Sequence, residues 1–382
     1  MASEPDPGLL EELTEPDPGL LKELIEWRPP HGVISAYLDT EPTDRTEGWR
    51  LALRDGLKPV GEAKGASHAA KIAIRATVER VQEHFPEGMP RSGRCQIGFV
   101  EVAEKPGREL WSATQIVPAV PAVVHREHPY LEPLVELLDD GWPVGAVAVS
   151  AEQLRLFEWR LGITEELDRW GARISRRAWR ERKAAKPTNP AAGQAVSAAG
   201  KDQYNQRLEA NRERFLRRTG PLIAEEADRR EWRMVLAYGD PHEVEIVGAD
   251  ADGLHLEAAG EANVVNETVE EVGRRVTVAV TDLNRNRELE LVERATDAAL
   301  ESNRRGSLGL APTFAALAEG RVEHLIFQGA SRVREERTEA VAKSAEDLIE
   351  GAVRTSAQIT PVEGEAAEAL TPHEGVAALW RY

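Results

Sequence analysis

The chain has 382 residues, 30% of them charged and 41% hydrophobic, with a formal net charge of −18 at pH 7. That length predicts two or three domains, and the apolar fraction excludes wholesale disorder. The longest apolar runs, such as VGAVAV at 144–149, fall far short of the roughly 18 residues that a membrane span requires.

In chain order, the first 25 residues hold a near-perfect duplication, EPDPGLLEELT followed by EPDPGLLKELI. Each copy reads as a Pro/Asp turn opening a short amphipathic helix, so residues 1–30 are expected to be an acidic appendage. An acidic start lacks the basic and then apolar pattern of a secretion signal, which predicts a cytoplasmic protein with no membrane partner. From 31 to 142 the pattern is that of an α/β domain: a strand at GVISAYLDT, helices through TEGWRLALRDGLK and AAKIAIRATVERVQEHF, strands at CQIGFVEV and ELWSATQIV, then the helix PYLEPLVELLDDG. The lone Cys95 excludes internal disulfides and is expected in a buried strand.

A middle domain is predicted over 143–285. PVGAVAVSAEQLRLFEWRLG reads as a hairpin turning at SAEQ, followed by the basic helix RISRRAWRERKAA (173–185). The segment 186–200, KPTNPAAGQAVSAAG, is predicted as a projecting loop. The helix after it carries Tyr204, Leu208 and Phe215 as a packing stripe. Strands are predicted at WRMVLAYGD, EVEIVG, LHLEAAG and RRVTVAVT. A C-terminal α/β domain follows over 286–382, with helices alternating with single strands.

Several motifs can be tested against the chemistry they require. GQAVSAAGKD lacks a phosphate-binding loop's first glycine, because Ala195 stands there, and Asp202 replaces its metal-binding hydroxyl. HREH at 125–128 has no third ligand at a suitable spacing, so these are read as surface histidines and no metal site is expected. GSLGLAP at 306–312 reads as a turn before a helix rather than a phosphate cup. Nothing points to a cofactor.

The strongest signal is local charge. From Arg173 to Arg218 there are thirteen Lys or Arg against four Asp or Glu, a surplus of nine positive charges inside an acidic chain. A pair of solvated basic helices is the plain reading. The sharper reading makes Arg173, Arg176, Arg177, Arg180, Arg182, Lys183, Lys186, Lys201, Arg207 and Arg214 contacts to RNA phosphates. Between them, Gly193 would give Gln194 room to present its amide and backbone N–H at the tip of a loop.

A Gly-Gln dipeptide on a loop flanked by basic helices in a middle domain resembles the hallmark of the archaeo-eukaryotic class-1 peptide-chain release factors and their relatives, including Pelota. VISAYLDTEP is similar to the first strand of bacterial members of that superfamily, and QYNQRLEANRERF to the helix after their loop. GRVEHLIFQG and HEGVAALWRY are similar to a central strand and the end of their C-terminal domain. The resemblance covers most of residues 31–382. It implies a three-domain, release-factor-like α/β (α+β) architecture closed by a C-terminal α/β sandwich of L7Ae-like type.

By that resemblance Gln194 would be the catalytic glutamine and Gly193 the glycine before it, positioning a water that attacks the peptidyl-tRNA ester. The implied partners are the ribosome, through large-subunit RNA and peptidyl-tRNA, and a translational GTPase is left open. Two departures stand out. Ala192 occupies the first glycine of the family's Gly-Gly-Gln, and nothing matches the Asn-Ile-Lys-Ser or Tyr-x-Cys motifs that read stop codons. The expected function is therefore codon-independent release or rescue by a peptidyl-tRNA hydrolase. A non-catalytic occupant of the ribosomal A site and a protein-interaction module remain the alternatives.

Overall fold

The computed structural model describes residues 18–40, 48–62, 65–88, 94–114, 116–117, 123–172, 190–251, 253–260, 264–301, 305–330 and 338–382, with the backbone alone at 18–20, 84–88, 113, 190–205, 339 and 342. These form a mixed α/β fold with ten α-helices and three sheets. They divide into two units, one of residues 1–142 with 280–382 and one of residues 143–279.

The second copy of the N-terminal duplication supplies α1 (Pro18–Glu26), with Leu24 and Ile25 buried. The first copy lies outside the described residues. Strands β1 (Val33–Asp39), β2 (Cys95–Glu101), β3 (Glu109–Thr114) and β4 (Val123–Arg126) pair antiparallel in the order β3-β2-β1-β4. Alternation along β1 sends Ile34, Ala36 and Leu38 towards Leu53 and Leu57 of α2 (Gly48–Glu62) and Ile74 of α3 (His68–Gly88). Cys95 is buried in β2, as its context predicts.

On the other face of β1, the Tyr130 amide donates to Ser35 Oγ at 2.9 Å, and the Tyr37 hydroxyl donates to the Tyr130 carbonyl at 2.6 Å. This leads into α4 (Glu132–Asp140). The histidines of HREH, expected at the surface, are drawn inward: His125 is half-buried in β4 with Nε2 2.8 Å from the His31 carbonyl, and His128 is buried with Nδ1 2.7 Å from the Pro129 carbonyl. Backbone acceptors supply what water would otherwise supply.

In the second unit β5 (Val144–Val149) and β6 (Gln153–Arg160) form the predicted hairpin, with the Ser150 amide donating to the Gln153 carbonyl at 2.8 Å. A further strand, β7 (Ile163–Gly171), extends it antiparallel. Helix α5 (Pro190–Arg229) leads to β8 (Val235–Tyr238), α6 (Pro241–Ala249) and β9 (Leu256–Gly260). The sheet order is β7-β6-β5-β8-β9, parallel where β8 pairs with β5 and β9. Gly145 is required by packing, since a Cβ there would stand 2.3 Å from the Trp232 ring.

Two predicted strands are helical. EVEIVG lies in α6, whose start is fixed by the Asp240 carboxylate accepting from the His242 amide at 3.0 Å, with Pro241 at the first helical position. RRVTVAVT lies in α7 (Val269–Leu300). A reciprocal cap opens that helix: the Glu271 amide donates to Thr268 Oγ1 at 3.2 Å and the Thr268 amide to Glu271 Oε2 at 2.9 Å. The Thr-x-x-Glu cap and the amphipathic continuation outweigh the β preference of the valines.

The last sheet belongs to the first unit. Strands β10 (Gly306–Leu308), β11 (Val322–Gln328), β12 (Gln358–Val362) and β13 (Val376–Trp380) run in the order β10-β13-β11-β12. Helix α8 (Leu310–Ala318) follows β10, α9 (Glu339–Arg354) connects the parallel pair β11 and β12, and α10 (Gly364–Leu370) precedes β13. At GSLGLAP the first free amide of α8, that of Leu310, donates to the Glu374 carboxylate at 2.9 Å, so this helix start is already occupied.

Helix α4 ties this sheet to the first one. Glu136 Oε1 accepts from the Ala330 amide at 2.6 Å, the Glu132 amide donates to Glu346 Oε1 at 3.2 Å, and Asp139 pairs with Arg287 at 2.6 Å. Burial raises the carboxyl groups of Glu136, Glu346 and Glu288, the last two to about 7 and about 8.

Glu288 Oε2 accepts from the Glu363 amide at 2.9 Å. Its raised value means that the folded state prefers the neutral acid, so its contribution to stability declines as pH climbs from 4.5 through about 8. Glu288→Gln should therefore make the fall in Tm between pH 5 and 8 shallower, as read by thermal melts across that range. A second melt tests Arg155, which is buried and grips Glu166 at 3.0 and 2.6 Å while donating to the carbonyls of Val265 and Glu267. Hydrogen bonds from Arg155 and Arg169 hold Glu166 down at about 2, so this stabilisation is complete above 4.5 and is lost as pH falls towards 2. Arg155→Ala should lower stability by about 3 kcal/mol in urea titrations at neutral pH, with a weaker acid dependence than the wild type below pH 4.5.

Candidate nucleic-acid interface

The basic region is organised by α5. Its lower half buries Phe215, Leu216, Ile223 and Ala227 against Val147, Val149, Leu154 and Leu156 of β5 and β6. Gly220 permits a close crossing with α6, because a Cβ there would meet the Val247 carbonyl at 2.5 Å. At the C-terminal end Arg230 reaches Glu158 at 3.0 Å, and the Trp232 indole donates to the same carboxylate at 2.9 Å. The helix is thus fixed in rotation about its own axis.

That rotation sorts the arginines. With 3.6 residues per turn, Arg207, Arg214 and Arg218 share a face opposite Leu216, Ile223 and Ala227, and all three are exposed. None has a carboxylate partner among the described residues, and Arg214 donates only to Asn211 Oδ1 at 3.1 Å. Arg212 and Arg217 lie to either side. Arg212 is held by Glu152 at 2.8 Å, and Arg217 by Glu213 at 3.0 Å and Asp250 at 3.3 Å. The Glu213 and Asp250 hydrogen bonds strengthen the proton affinity of Arg217. Carboxylates thereby neutralise two arginines and, among the described residues, leave three facing solvent without an acidic partner.

The sequence-predicted loop differs from the structure. Residues 190–200 continue α5, so Gly193 and Gln194 lie in its first turns rather than on an open tip. Pro190 suits the first helical position, and five alanines between 191 and 199 favour helix strongly enough to carry the glycine. Lys201 is also on this helix. Arg173, Arg176, Arg177, Arg180, Arg182, Lys183 and Lys186 lie outside the described residues, as does the basic helix predicted there. Arg207 and Arg214 are brought together on one face, and Arg218 joins them. Arg169 and Trp170 on β7 were missed because Ile163, Leu167 and Trp170 stand at i, i+4 and i+7, without the alternation that signals a strand. Among the described residues no group of His, Cys, Asp or Glu is arranged to hold a metal ion, and no helix is long and apolar enough to cross a membrane.

A long helix with an exposed cationic face lies on a mixed sheet, with Gly193 and Gln194 in its first turns. Residues 129–267 match the model of bacterial archaeo-eukaryotic release factor family 10. Over those residues the chain is similar to the bacterial archaeo-eukaryotic release factors, with family 10 as the matching model. No curated protein matches. Among solved structures, the archaeal translation termination factor aRF1 is 17% identical at a TM-score of 0.25, over 97% of this chain and 98% of its own. Dom34 of S. cerevisiae is 9% identical at 0.41, over 75% and 79%. Ribosome-bound archaeal Pelota, from a complex with ABCE1, is 13% identical at 0.41, over 96% and 94%.

The sorting of arginines is testable by elution from immobilised heparin. Replacing Arg207, Arg214 and Arg218 together by alanine should lower the salt needed for elution markedly. The Arg212→Ala, Arg217→Ala double variant should shift it little, because those cations are already neutralised in place.

Proposed function

We propose that the protein is a ribosome-associated release or rescue factor that cleaves the peptidyl-tRNA ester without reading a codon. The observation that carries this is the match of residues 129–267 to a release-factor family, over the unit whose longest helix holds Gly193 and Gln194 in its first turns and then turns Arg207, Arg214 and Arg218 outward. In this reading the arginines bind ribosomal RNA phosphates, and the more N-terminal basic residues from Arg173 to Lys186 add to them. Gln194 fixes a water against the ester carbonyl, while the ribosome supplies most of the reacting site. The partners are the large ribosomal subunit with its peptidyl-tRNA, and a translational GTPase; the location is cytoplasmic. As part of the same proposal the chain divides after its acidic appendage into domains 31–142, 143–285 and 286–382, and each of the three sheets falls within one of them.

A second reading is favoured by two specific observations. Ala192 stands where the superfamily resemblance calls for glycine, and residues 190–200 are helical. A helical Gln194 cannot enter a narrow site as an extended tip unless the first turns of α5 unwind. In that reading the protein occupies the ribosomal A site without hydrolysis.

Peptide release from stalled ribosome complexes separates the two. Wild type should release peptide, Gln194→Ala should lose roughly a hundredfold or more in rate while still sedimenting with ribosomes, and Ala192→Gly should release at least as fast as wild type. Ribosome binding without any release, in wild type and Ala192→Gly alike, would select the non-catalytic reading.

A further inference from the structure

Between α5 and the end of β7 lies a groove of about 520 Å³. Arg169, Trp170, Phe215, Arg218, Thr219 and Leu222 line it, and among the described residues no carboxylate does. Phe215 is buried at its base, Trp170 is half-buried against the same core, and Leu222 is 40% exposed. Thr219 Oγ1 is committed to the Leu216 carbonyl at 2.7 Å. Arg169 holds Glu166 at 2.8 Å, whereas Arg218 has no acidic partner among the described residues. The groove therefore offers an indole and an aliphatic wall beside one unneutralised guanidinium.

That combination fits a flat aromatic group carrying a negative charge, and the volume lies in the range of small-ligand sites. It does not end at the groove. Arg214 and Arg207 continue the same helix face, making a cationic track about 16 Å long with Arg218. A single small metabolite would use the groove alone. A phosphate-linked chain would use groove and track together.

We propose that this groove takes one nucleotide of a single-stranded RNA, with its base against Trp170 and Leu222 and its phosphate on Arg218, while Arg214 and Arg207 hold the adjoining backbone. The choice of RNA rests on the reading of this unit as ribosome-facing, but nothing in it depends on ester hydrolysis at Gln194.

The test uses the full chain and a short fluorescein-labelled oligouridylate, followed by anisotropy at several salt concentrations. Arg218→Ala and Trp170→Leu should each weaken binding roughly tenfold. Arg218→Ala should also lower the salt slope by about 0.7, and Arg217→Ala should bind as wild type does. Photocrosslinking of wild type to a 4-thiouridine oligomer should mark the peptide containing Trp170, which keeps the inference testable if Trp170→Leu fails to fold. Equal affinities of Arg218→Ala and Arg217→Ala, crosslinks confined elsewhere, or competition by polyglutamate as strong as by RNA would overturn it. Ribosome co-sedimentation distinguishes this failure from that of the proposed function. Retained sedimentation with no oligomer binding overturns the groove alone, and a crosslinked groove without sedimentation supports the groove while removing the ribosomal reading.

Discussion

Phe215, Leu216, Ile223 and Ala227 seat α5 on β5 and β6, and Gly220 lets the helix cross α6 at close range. Once those contacts are made, the helix cannot turn about its axis without exposing its apolar stripe or driving a Cβ into the backbone of α6. Its outer face then has no freedom of choice. Arg207, Arg214 and Arg218 must point to solvent, while Arg212 and Arg217 must fall beside Glu152, Glu213 and Asp250. The cationic surface is a consequence of how the opposite side is packed.

A different device holds the first unit together. There carboxyl groups on α4, α7 and α9 accept backbone hydrogen bonds from neighbouring segments, and burial drives Glu136, Glu288 and Glu346 towards their neutral forms. A neutral buried acid accepts a backbone hydrogen bond without the desolvation penalty of a charge. The second unit uses the opposite solution at Arg155, where a buried guanidinium keeps Glu166 ionised and ties β6 and β7 to the segment before α7. Both arrangements satisfy buried polar atoms, but the first responds to rising pH and the second to falling pH.

Charge is the property that connects structure with function. A net charge of −18 would repel a polyanion at long range. Screening confines that repulsion to about 8 Å at physiological ionic strength, so a local track of unpaired arginines can still dominate at contact. The acidic remainder of the chain disfavours indiscriminate binding to nucleic acid. In the proposed RNA complex the groove beside Trp170 would add a contact that depends on shape as well as charge.

Much of this was legible in the residues. Alternation located β1, β2 and the β5–β6 hairpin, the polar SAEQ turn located the reversal, and Cys95 read as buried because its neighbours are strand formers. The helices on EVEIVG and RRVTVAVT were misread because valine-rich runs signal strand locally, while the Asp240-Pro241 and Thr268–Glu271 caps decide otherwise. Residues 190–200 looked like a loop because they lack an apolar stripe, yet alanine and an initiating proline suffice for helix. By itself the sequence determined that positive charge gathers between 173 and 218, since that follows from composition alone. Which of those arginines are free, and that Trp170 stands beside Arg218, was decided only in the folded chain. The partners that neutralise Arg212 and Arg217 include Glu152 and Asp250, and the groove joins residues more than forty positions apart, so only packing brings these groups within reach.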